Sequence, residues 1–229
     1  MGISHRFVII VSVFVTCLIT ANIVGAKVVA IGPFILPAAV FLFPLSYIFG
    51  DILTEVYGYH QARRVIWLGF LCNLIFVIFA WIGQILPPDP LWVKQEAYEA
   101  ILGYTPRLLV ASFCGYLAGE FGNSFVLAKM KILTRGRWLW TRTIGSTIVG
   151  QGLDTVIFII GAYFGAPFFT FMMILHHWLA KIVIEVVATP VTYTAVNFLK
   201  VKEATDTYDY ETNFNPFLFW SKERRVIGR

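Results

Sequence analysis

The sequence contains little charge and little cysteine. Only 14% of its 229 residues are charged, whereas roughly a quarter are charged in ordinary soluble domains. This deficit, together with a hydrophobic content of 58%, excludes an ordinary water-soluble domain and indicates a membrane protein. Cys17, Cys72 and Cys114 lie in apolar runs, are odd in number and lack metal-ligand spacing. We therefore assign them to packing rather than to disulfides.

Several functional motifs are also missing. The sequence has no nucleotide-binding loop of the Walker type, so transport driven directly by ATP would require another subunit. Its net charge of +5 comes from short basic loops rather than from a basic patch with interleaved aromatics, so we expect no nucleic-acid partner. His176 and His177 are adjacent and point to different faces of a helix, so we expect no metal site and no cofactor.

Apolar runs and their breakers predict an all-α, polytopic fold. A span needs about 20 mostly apolar residues, and the runs predict six transmembrane helices near residues 6–30, 34–57, 62–86, 106–129, 141–165 and 168–199. We expect the first run to be a retained span rather than a cleaved signal, because it reaches span length. Ile31-Gly32-Pro33 is the predicted turn of a hairpin between the first two spans.

The distribution of lysine and arginine predicts the orientation. Basic residues cluster after the second span, around the loop between the fourth and fifth spans, and in the tail, whereas the longest loop on the other side has only Lys94 and Arg107. Because basic loops stay in the cytoplasm, both termini are predicted to be cytoplasmic. The predicted division is a six-helix transmembrane domain over residues 1–200 and a cytoplasmic polar and aromatic tail over residues 201–229.

Seven charged residues remain in or near the predicted hydrocarbon region. Each would cost about 2.5 to 3.5 kcal/mol at the bilayer centre, so they are expected to face one another or water. They are Lys27, Asp51, Glu55, Glu120, Asp154, Lys181 and Glu185.

Helical spacing groups these charges with neighbouring amides. Pairs three or four positions apart share a helix face; they are Asp51 with Glu55, Lys181 with Glu185, Glu120 with Asn123, and Gln151 with Asp154. A structural role is the alternative for these charges. Asp51 and Glu55 would lie near the cytoplasmic interface, Lys27 would extend to the outer interface, and Lys181 would neutralise Glu185 within its own helix.

Aromatic side chains near these acids are candidates for stacking on a flat ligand. Phe43 and Tyr47 flank Pro44, and Tyr116 lies one turn before Glu120. We expect Pro44, in the middle of the second predicted span, to free a backbone carbonyl at membrane depth, as broken helices do in transporters.

Three stretches resemble a known family. They are FPLSYIFGDILTEVYGYHQARR (43–64), GEFGNSFVLAKMK (119–131) and RWLWTRTIGSTIVGQGLDTVIF (137–158). In this order they resemble the queuosine precursor transporter family, formerly described as vitamin uptake transporters. The resemblance extends from Asn22 and Lys27 into the tail, and it is most specific around Asp51, Thr54, Glu55 and the Tyr57-Gly58 turn.

The resemblance implies uptake of 7-cyano-7-deazaguanine, 7-aminomethyl-7-deazaguanine or queuine across the bacterial inner membrane for tRNA modification. The expected partners are this 7-deazapurine substrate, membrane lipid and a second copy in a homodimer. A guanine-like edge donates N–H groups to a carboxylate, its carbonyl accepts from lysine or an amide, and its ring stacks on aromatics. The candidate binding residues are Asn22, Lys27, Phe43, Tyr47, Asp51, Glu55, Tyr116, Glu120, Asn123, Gln151, Asp154, Lys181 and Glu185.

Two alternatives remain at this point. An intramembrane enzyme acting on a lipid or isoprenoid would use paired carboxylates, and Asp51 with Glu55 is the only such pair near a predicted cytoplasmic face. The other alternative is the substrate-binding membrane component of an ATP-driven importer. We expect a transporter rather than an enzyme.

Overall fold

The computed structural model describes residues 4–31, 34–103, 106–167 and 169–218, and this part of the chain is almost entirely helical. In order, it contains α1 (His5–Gly25), β1 (Val28–Ile31), β2 (Phe34–Pro37), α2 (Phe43–Ile52), α3 (Tyr59–Ile85), α4 (Gln95–Leu102), α5 (Pro106–Leu133), α6 (Leu139–Tyr163) and α7 (Phe171–Glu203). A 3-10 turn, Ala38–Phe41, precedes α2, and a π-helical turn, Leu53–Tyr57, follows it.

Five of the described helices are long and apolar enough to cross a membrane, namely α1, α3, α5, α6 and α7. Their outer surfaces carry large apolar side chains such as Phe79, which is 67% exposed, and Val187, which is 73% exposed. Such wide apolar exposure is stable when the surrounding medium is lipid rather than water. The predicted helical membrane fold is therefore confirmed at the level of these five helices.

The remaining predicted span, residues 34–57, is not a single helix. Its first residues form β2, which pairs antiparallel with β1. The β-branched residues of β1 favour this pairing, and Pro37 ends it because proline has no N–H to donate. A strand hairpin thus replaces the predicted direct turn between two helices. The predicted turn residues Gly32 and Pro33 lie outside the described residues.

Pro44 lies in the first turn of α2 rather than in the middle of a span. A proline costs little at this position because the first N–H groups of any helix have no partner within the helix. The prediction that Pro44 frees a carbonyl at mid-span is therefore wrong. Pro44 instead helps to start α2, after the irregular segment that precedes it.

The π-helical turn separates Asp51 from Glu55. Hydrogen bonds in a π-turn run from i to i+5, and such turns often lie at functional sites. Asp51 precedes the turn and Glu55 lies within it, so their side chains reach different neighbours. The turn ends at Gly58, where φ is 84° and an ideal Cβ would lie 2.7 Å from Thr207 Cγ2. Glycine is required here by both its backbone angle and the space available.

α5 and α6 form the most extensive helix contact in the structure. Glycines bring them close, because an ideal Cβ on Gly119 would lie 2.7 Å from Asp154 Cβ, and one on Gly150 would lie 2.6 Å from Asn123 Cβ. Small residues allow this approach between helices in membranes. α7 packs against α6 and α2, and α2 also contacts α5. These four helices therefore surround a common interior.

Several helix ends meet at one end of the bundle, which we call the basic end. Arg6, near the start of α1, forms an ion pair with Glu203 at the end of α7, with Nη1 and Oε1 3.2 Å apart. Lys131, near the end of α5, and Arg142, near the start of α6, both reach Glu55. The contacts place these elements on one side of the bundle.

The segment after α7 packs against the first turns of α3. Both carboxylate oxygens of Asp209 accept from Tyr59 N–H, at 3.2 and 3.1 Å, which caps the start of α3. Arg63 Nη1 donates to Asn213 O at 2.8 Å. The described part of the predicted tail is therefore docked on the basic end, while its last residues, 219–229, lie outside the described residues.

Candidate functional site

Three carboxylates lie in the interior between α2, α5, α6 and α7. They are Asp51 on α2, Glu120 on α5 and Glu185 on α7, and each is at most 1% exposed. Glu120 is eleven positions from Lys131 at the basic end, a distance of about 16 Å along a helix. The hydrocarbon core of a bilayer is about 30 Å thick. Glu120 therefore lies near the midplane of the bundle, and we call this region the mid-depth site.

Asp51 is oriented by a side chain from α5. Asn123 Nδ2 donates to Asp51 Oδ1 at 2.7 Å. The other carboxylate oxygen, Oδ2, has no hydrogen-bond partner among the described residues, and neither has Asn123 Oδ1, although both residues are fully buried. Asn123 thus fixes Asp51 and also presents an acceptor of its own.

Glu120 lies against the backbone of α2. An ideal Cβ on Gly50 would lie 3.0 Å from Glu120 Oε2, so a larger residue at this position would require the carboxylate to shift by a few tenths of an ångström. Neither Glu120 oxygen accepts a hydrogen bond within the described part of the chain. The Tyr47 hydroxyl is close by, 2.6 Å from an ideal Cβ on Gly119. Tyr47 and Glu120 therefore flank the same contact between α2 and α5.

Glu185 and Gln151 complete the mid-depth site from α7 and α6. In the described ranges, both Glu185 oxygens and Gln151 Oε1 lack a hydrogen-bond partner, and Gln151 is 1% exposed. α2, which carries Asp51, packs against both α5 and α7, so the three carboxylates line the same interior. The site therefore gathers acceptor oxygens from four helices.

Unpartnered buried acceptors of this kind are unfavourable without a donor or a proton. Burying a polar group without a hydrogen bond costs about 1 to 3 kcal/mol in proteins, and an isolated buried charge costs more. Within the described residues, no group of three or more His, Cys, Asp or Glu side chains could hold a metal ion. Protons or an N–H-bearing ligand would satisfy the carboxylates.

Asp154 and Lys181 form an ion pair at the edge of this interior. Lys181 Nζ lies 2.6 Å from Asp154 Oδ2 and 3.4 Å from Thr155 Oγ1, so the pair connects α7 to α6. The side chains are 13% and 16% exposed for Lys181 and Asp154 respectively. The sequence suggested, as an alternative, that Lys181 neutralises Glu185 within α7. The structure instead pairs Lys181 with Asp154 on α6.

Glu55 belongs to a separate group of charges at the basic end. Its buried carboxylate accepts from Arg142 Nε at 2.8 Å, from Arg142 Nη2 at 2.7 Å and from Lys200 Nζ at 2.6 Å. Lys131 Nζ donates to the Glu55 backbone carbonyl. Asp206 adds a second carboxylate, 2.6 Å from Lys131 Nζ and 2.9 Å from Lys200 Nζ. We call these five residues the basic cluster.

Asp206 has a lowered pKa because it lies beside two lysines of the basic cluster. Burial alone would raise the pKa of Asp206, but hydrogen bonds and charges from Lys131 and Lys200 lower it below its ordinary value. A carboxylate whose pKa is lowered on folding stabilises the fold above its unfolded pKa, and this stabilisation is lost as the pH falls through the folded pKa. Asp206 is therefore ionised at physiological pH and can hold both lysines.

Two predicted site residues lie on the α1 side of the bundle. Asn22 Nδ2 donates to Asn73 Oδ1 at 2.8 Å, which joins α1 to α3. Lys27 follows α1, and its side chain is exposed. The structure therefore places both residues away from the α5–α6 contact that forms one wall of the mid-depth site.

The two remaining aromatic candidates have different outcomes. Tyr116 lies near Glu120, whose charge acts on it, but its hydroxyl donates to Ile66 O at 3.0 Å. The side chain of Phe43 lies outside the described residues. Tyr47, whose hydroxyl lies against Gly119, is therefore the stacking candidate that we retain for the mid-depth site.

Sequence reasoning missed the partners of Glu55. It assigns Lys131, Arg142 and Lys200 to cytoplasmic loops, yet Lys131 and Arg142 are each only 1% exposed. A signal for their role was available, because all three lie at the cytoplasmic ends of predicted spans, at the same depth as Glu55. Opposite charges at equal depth are expected to pair in a membrane protein.

Comparison with known families decides the classification. The sequence profile of the family described as "Putative vitamin uptake transporter" matches residues 37–195, which is more than half of the chain. The chain belongs to this family. Together with its five long apolar helices, this membership makes it a multi-pass membrane protein. The family resemblance of the three sequence stretches is confirmed.

A named relative has a more specific description. A Bacillus subtilis (strain 168) protein described as "Probable queuosine precursor transporter" is 32% identical over 149 residues. The match covers 63% of this chain and 65% of the relative, just under two thirds of the relative's length. No solved structure matches this member of the vitamin uptake transporter family.

Proposed function

We propose that the protein takes up 7-deazaguanine precursors of queuosine across the bacterial inner membrane. The precursors are 7-cyano-7-deazaguanine, 7-aminomethyl-7-deazaguanine and queuine. Family membership and the description of the Bacillus subtilis relative support this substrate class. Because both descriptions are of transporters, neither an intramembrane enzyme nor a component of an ATP-driven importer is proposed.

The acceptor oxygens of the mid-depth site carry the proposal. A guanine-like edge presents two adjacent N–H donors, which one carboxylate can accept in a bidentate pair. Glu120 has both oxygens unpartnered within the described structure and lies beside Tyr47, so it can take this edge while the flat ring packs on the Tyr47 ring. The Gln151 amide nitrogen is the donor proposed for the ligand carbonyl.

The proposed transport requires a conformational change. Asp51, Glu120 and Glu185 are at most 1% exposed, so the site in this conformation is closed to both sides of the membrane. At the basic end, Glu55 and the residues bound to it lie between the site and the cytoplasm. We propose that separation of the basic cluster opens the cytoplasmic side, in keeping with alternating access in transporters.

The proposed topology has six crossings with both termini in the cytoplasm. The sixth crossing consists of the β1–β2 hairpin region, α2 and the π-helical turn. The contacts at the basic end support it, because Glu55 at the end of this segment reaches Lys131 and Arg142. The positive-inside rule assigns this end to the cytoplasm.

Cysteine labelling tests the topology. In a background with the three native cysteines replaced by alanine, we expect Lys94→Cys to react with a membrane-impermeant maleimide in intact spheroplasts. Arg137→Cys is expected to react only after permeabilisation, because Arg137 is exposed at the basic end. The reverse pattern would contradict the orientation, and labelling of both positions from outside would contradict the number of crossings between them.

Reconstituted vesicles test the proposed function. We expect vesicles containing the protein to accumulate radiolabelled 7-aminomethyl-7-deazaguanine faster than protein-free vesicles, with saturation at high substrate. Unlabelled 7-deazaguanines should compete, whereas adenine should not, because its edge carries a different donor and acceptor pattern. Uptake of every 7-deazaguanine at the protein-free rate would refute the proposal.

A further inference from the structure

The mid-depth site contains an excess of carboxylates over cations. Four acidic side chains, Asp51, Glu120, Asp154 and Glu185, lie near this depth, and Lys181 forms its ion pair with Asp154. The other three carboxylates have no cation within ion-pair distance in the described ranges. A ligand that fills this interior therefore meets three carboxyl groups that are not paired with a cation among the described residues.

The two buried amides, Asn123 and Gln151, also favour a ligand that donates hydrogen bonds. Asn123 and Gln151 are at most 1% exposed, and the carbonyl oxygen of each is buried without a partner among the described residues. Asn123 is in direct contact with Asp51 through its Nδ2, so its Oδ1 belongs to the same site. A ligand rich in N–H donors satisfies these oxygens, whereas a ligand that adds acceptors leaves them unpaired.

One pair of carboxylates is suited to a cation. Asp51 on α2 and Glu185 on α7 lie in the same interior, because these two helices pack against each other, and Asn123 holds Asp51 in place through a hydrogen bond. Asp51 Oδ2 and both Glu185 oxygens are without partners in the described structure. An ammonium group supplies three donors and one positive charge, so it can bridge these two carboxylates.

We infer that the mid-depth site selects 7-deazaguanines that carry a positively charged amine on the 7-substituent, with the amine held between Asp51 and Glu185 and the guanine-like edge held by Glu120. This inference rests on the proposed function. It separates the precursors by their chemistry, because the aminomethyl form and queuine carry a protonated amine, whereas the cyano form carries a nitrile. A nitrile nitrogen is an acceptor without a donor, so it leaves both carboxylates unpaired.

Competition binding to the purified full-length protein tests the inference. With radiolabelled 7-aminomethyl-7-deazaguanine as the probe at pH 7, we expect unlabelled aminomethyl compound and queuine to displace it at similar concentrations. The cyano compound should require about tenfold more, which corresponds to about 1.4 kcal/mol. Equal potency of the cyano and aminomethyl compounds, or greater potency of the cyano compound, would overturn the inference and leave the proposed function standing.

A variant identifies the carboxylate that holds the amine. Glu185→Gln should weaken the aminomethyl compound by about tenfold more than it weakens the cyano compound, which removes the preference. Glu96→Gln is the matched control, because Glu96 is exposed on α4, and it should change neither affinity. A preference that persists in folded Glu185→Gln would overturn the placement of the amine. Absence of binding of every 7-deazaguanine to the wild type would overturn the proposed function as well.

Discussion

Glu55→Gln is expected to lower the free energy of unfolding by about 3 to 5 kcal/mol, because it leaves buried cations without their central carboxylate. Arg142 and Lys131 are each 1% exposed, and Arg142 makes two hydrogen bonds to the Glu55 carboxylate. A neutral amide cannot accept both of these bonds and balance the charge of Lys200 as well. Unfolding in mixed micelles with increasing sodium dodecyl sulfate measures the change.

Glu203→Gln is the matched control at the same end of the bundle. Glu203 pairs with Arg6, whose side chain is 46% exposed, and such a pair contributes about 0 to 1 kcal/mol. Combining Glu55→Gln with Arg142→Gln should be less destabilising than the sum of the two single changes, because the two side chains interact directly. Equal destabilisation by Glu55→Gln and Glu203→Gln would contradict a structural role for the basic cluster.

Glu120→Gln is expected to reduce uptake of 7-deazaguanines by about 100-fold while the protein still folds. The glutamine side chain would present an NH2 group to the N–H donors of the ligand, so one bond of the bidentate pair is replaced by a clash of donors. A loss of about 100-fold corresponds to about 2.7 kcal/mol. Initial uptake rates in vesicles, at equal amounts of reconstituted protein, measure the effect.

Glu211→Gln serves as the control for Glu120→Gln, because Glu211 is exposed in the segment after α7. Its uptake rate should equal that of the wild type. If folded Glu120→Gln also matched the wild type for all three precursors, the assignment of the guanine-like edge to Glu120 would be wrong. Thermal unfolding of both variants establishes that the comparison is between folded proteins.

Hydropathy predicted the long helices well and the segment between α1 and α3 poorly. α3, α6 and α7 agree with the predicted spans 62–86, 141–165 and 168–199 to within a few residues, because a long apolar run in lipid has no stable alternative to a helix. Residues 28–37 are also apolar but short and rich in β-branched residues. Apolar composition alone does not distinguish a strand from a helix at that length.

The mid-depth site was predicted as a set of residues but not as a set of pairs. Asp51, Glu120 and Glu185 could be selected because charges in apolar spans must find partners or water. Their neighbours depend on which helices approach closely, as Gly119 and Gly150 show. Spacing along one helix predicted that Asp51 and Glu55 share a face, but it could not predict their partners. Asp51 bonds Asn123, whereas Glu55 joins the basic cluster.

Equilibrium binding is the most direct test of the account. Radiolabelled 7-aminomethyl-7-deazaguanine would be titrated into purified wild-type protein and into the Glu120→Gln variant, after both are shown to be folded. The account predicts saturable binding to the wild type that excess unlabelled ligand displaces, and binding to Glu120→Gln that is about 100-fold weaker. Absence of saturable binding to the wild type, or equal binding to both proteins, would contradict a 7-deazaguanine site at mid-depth.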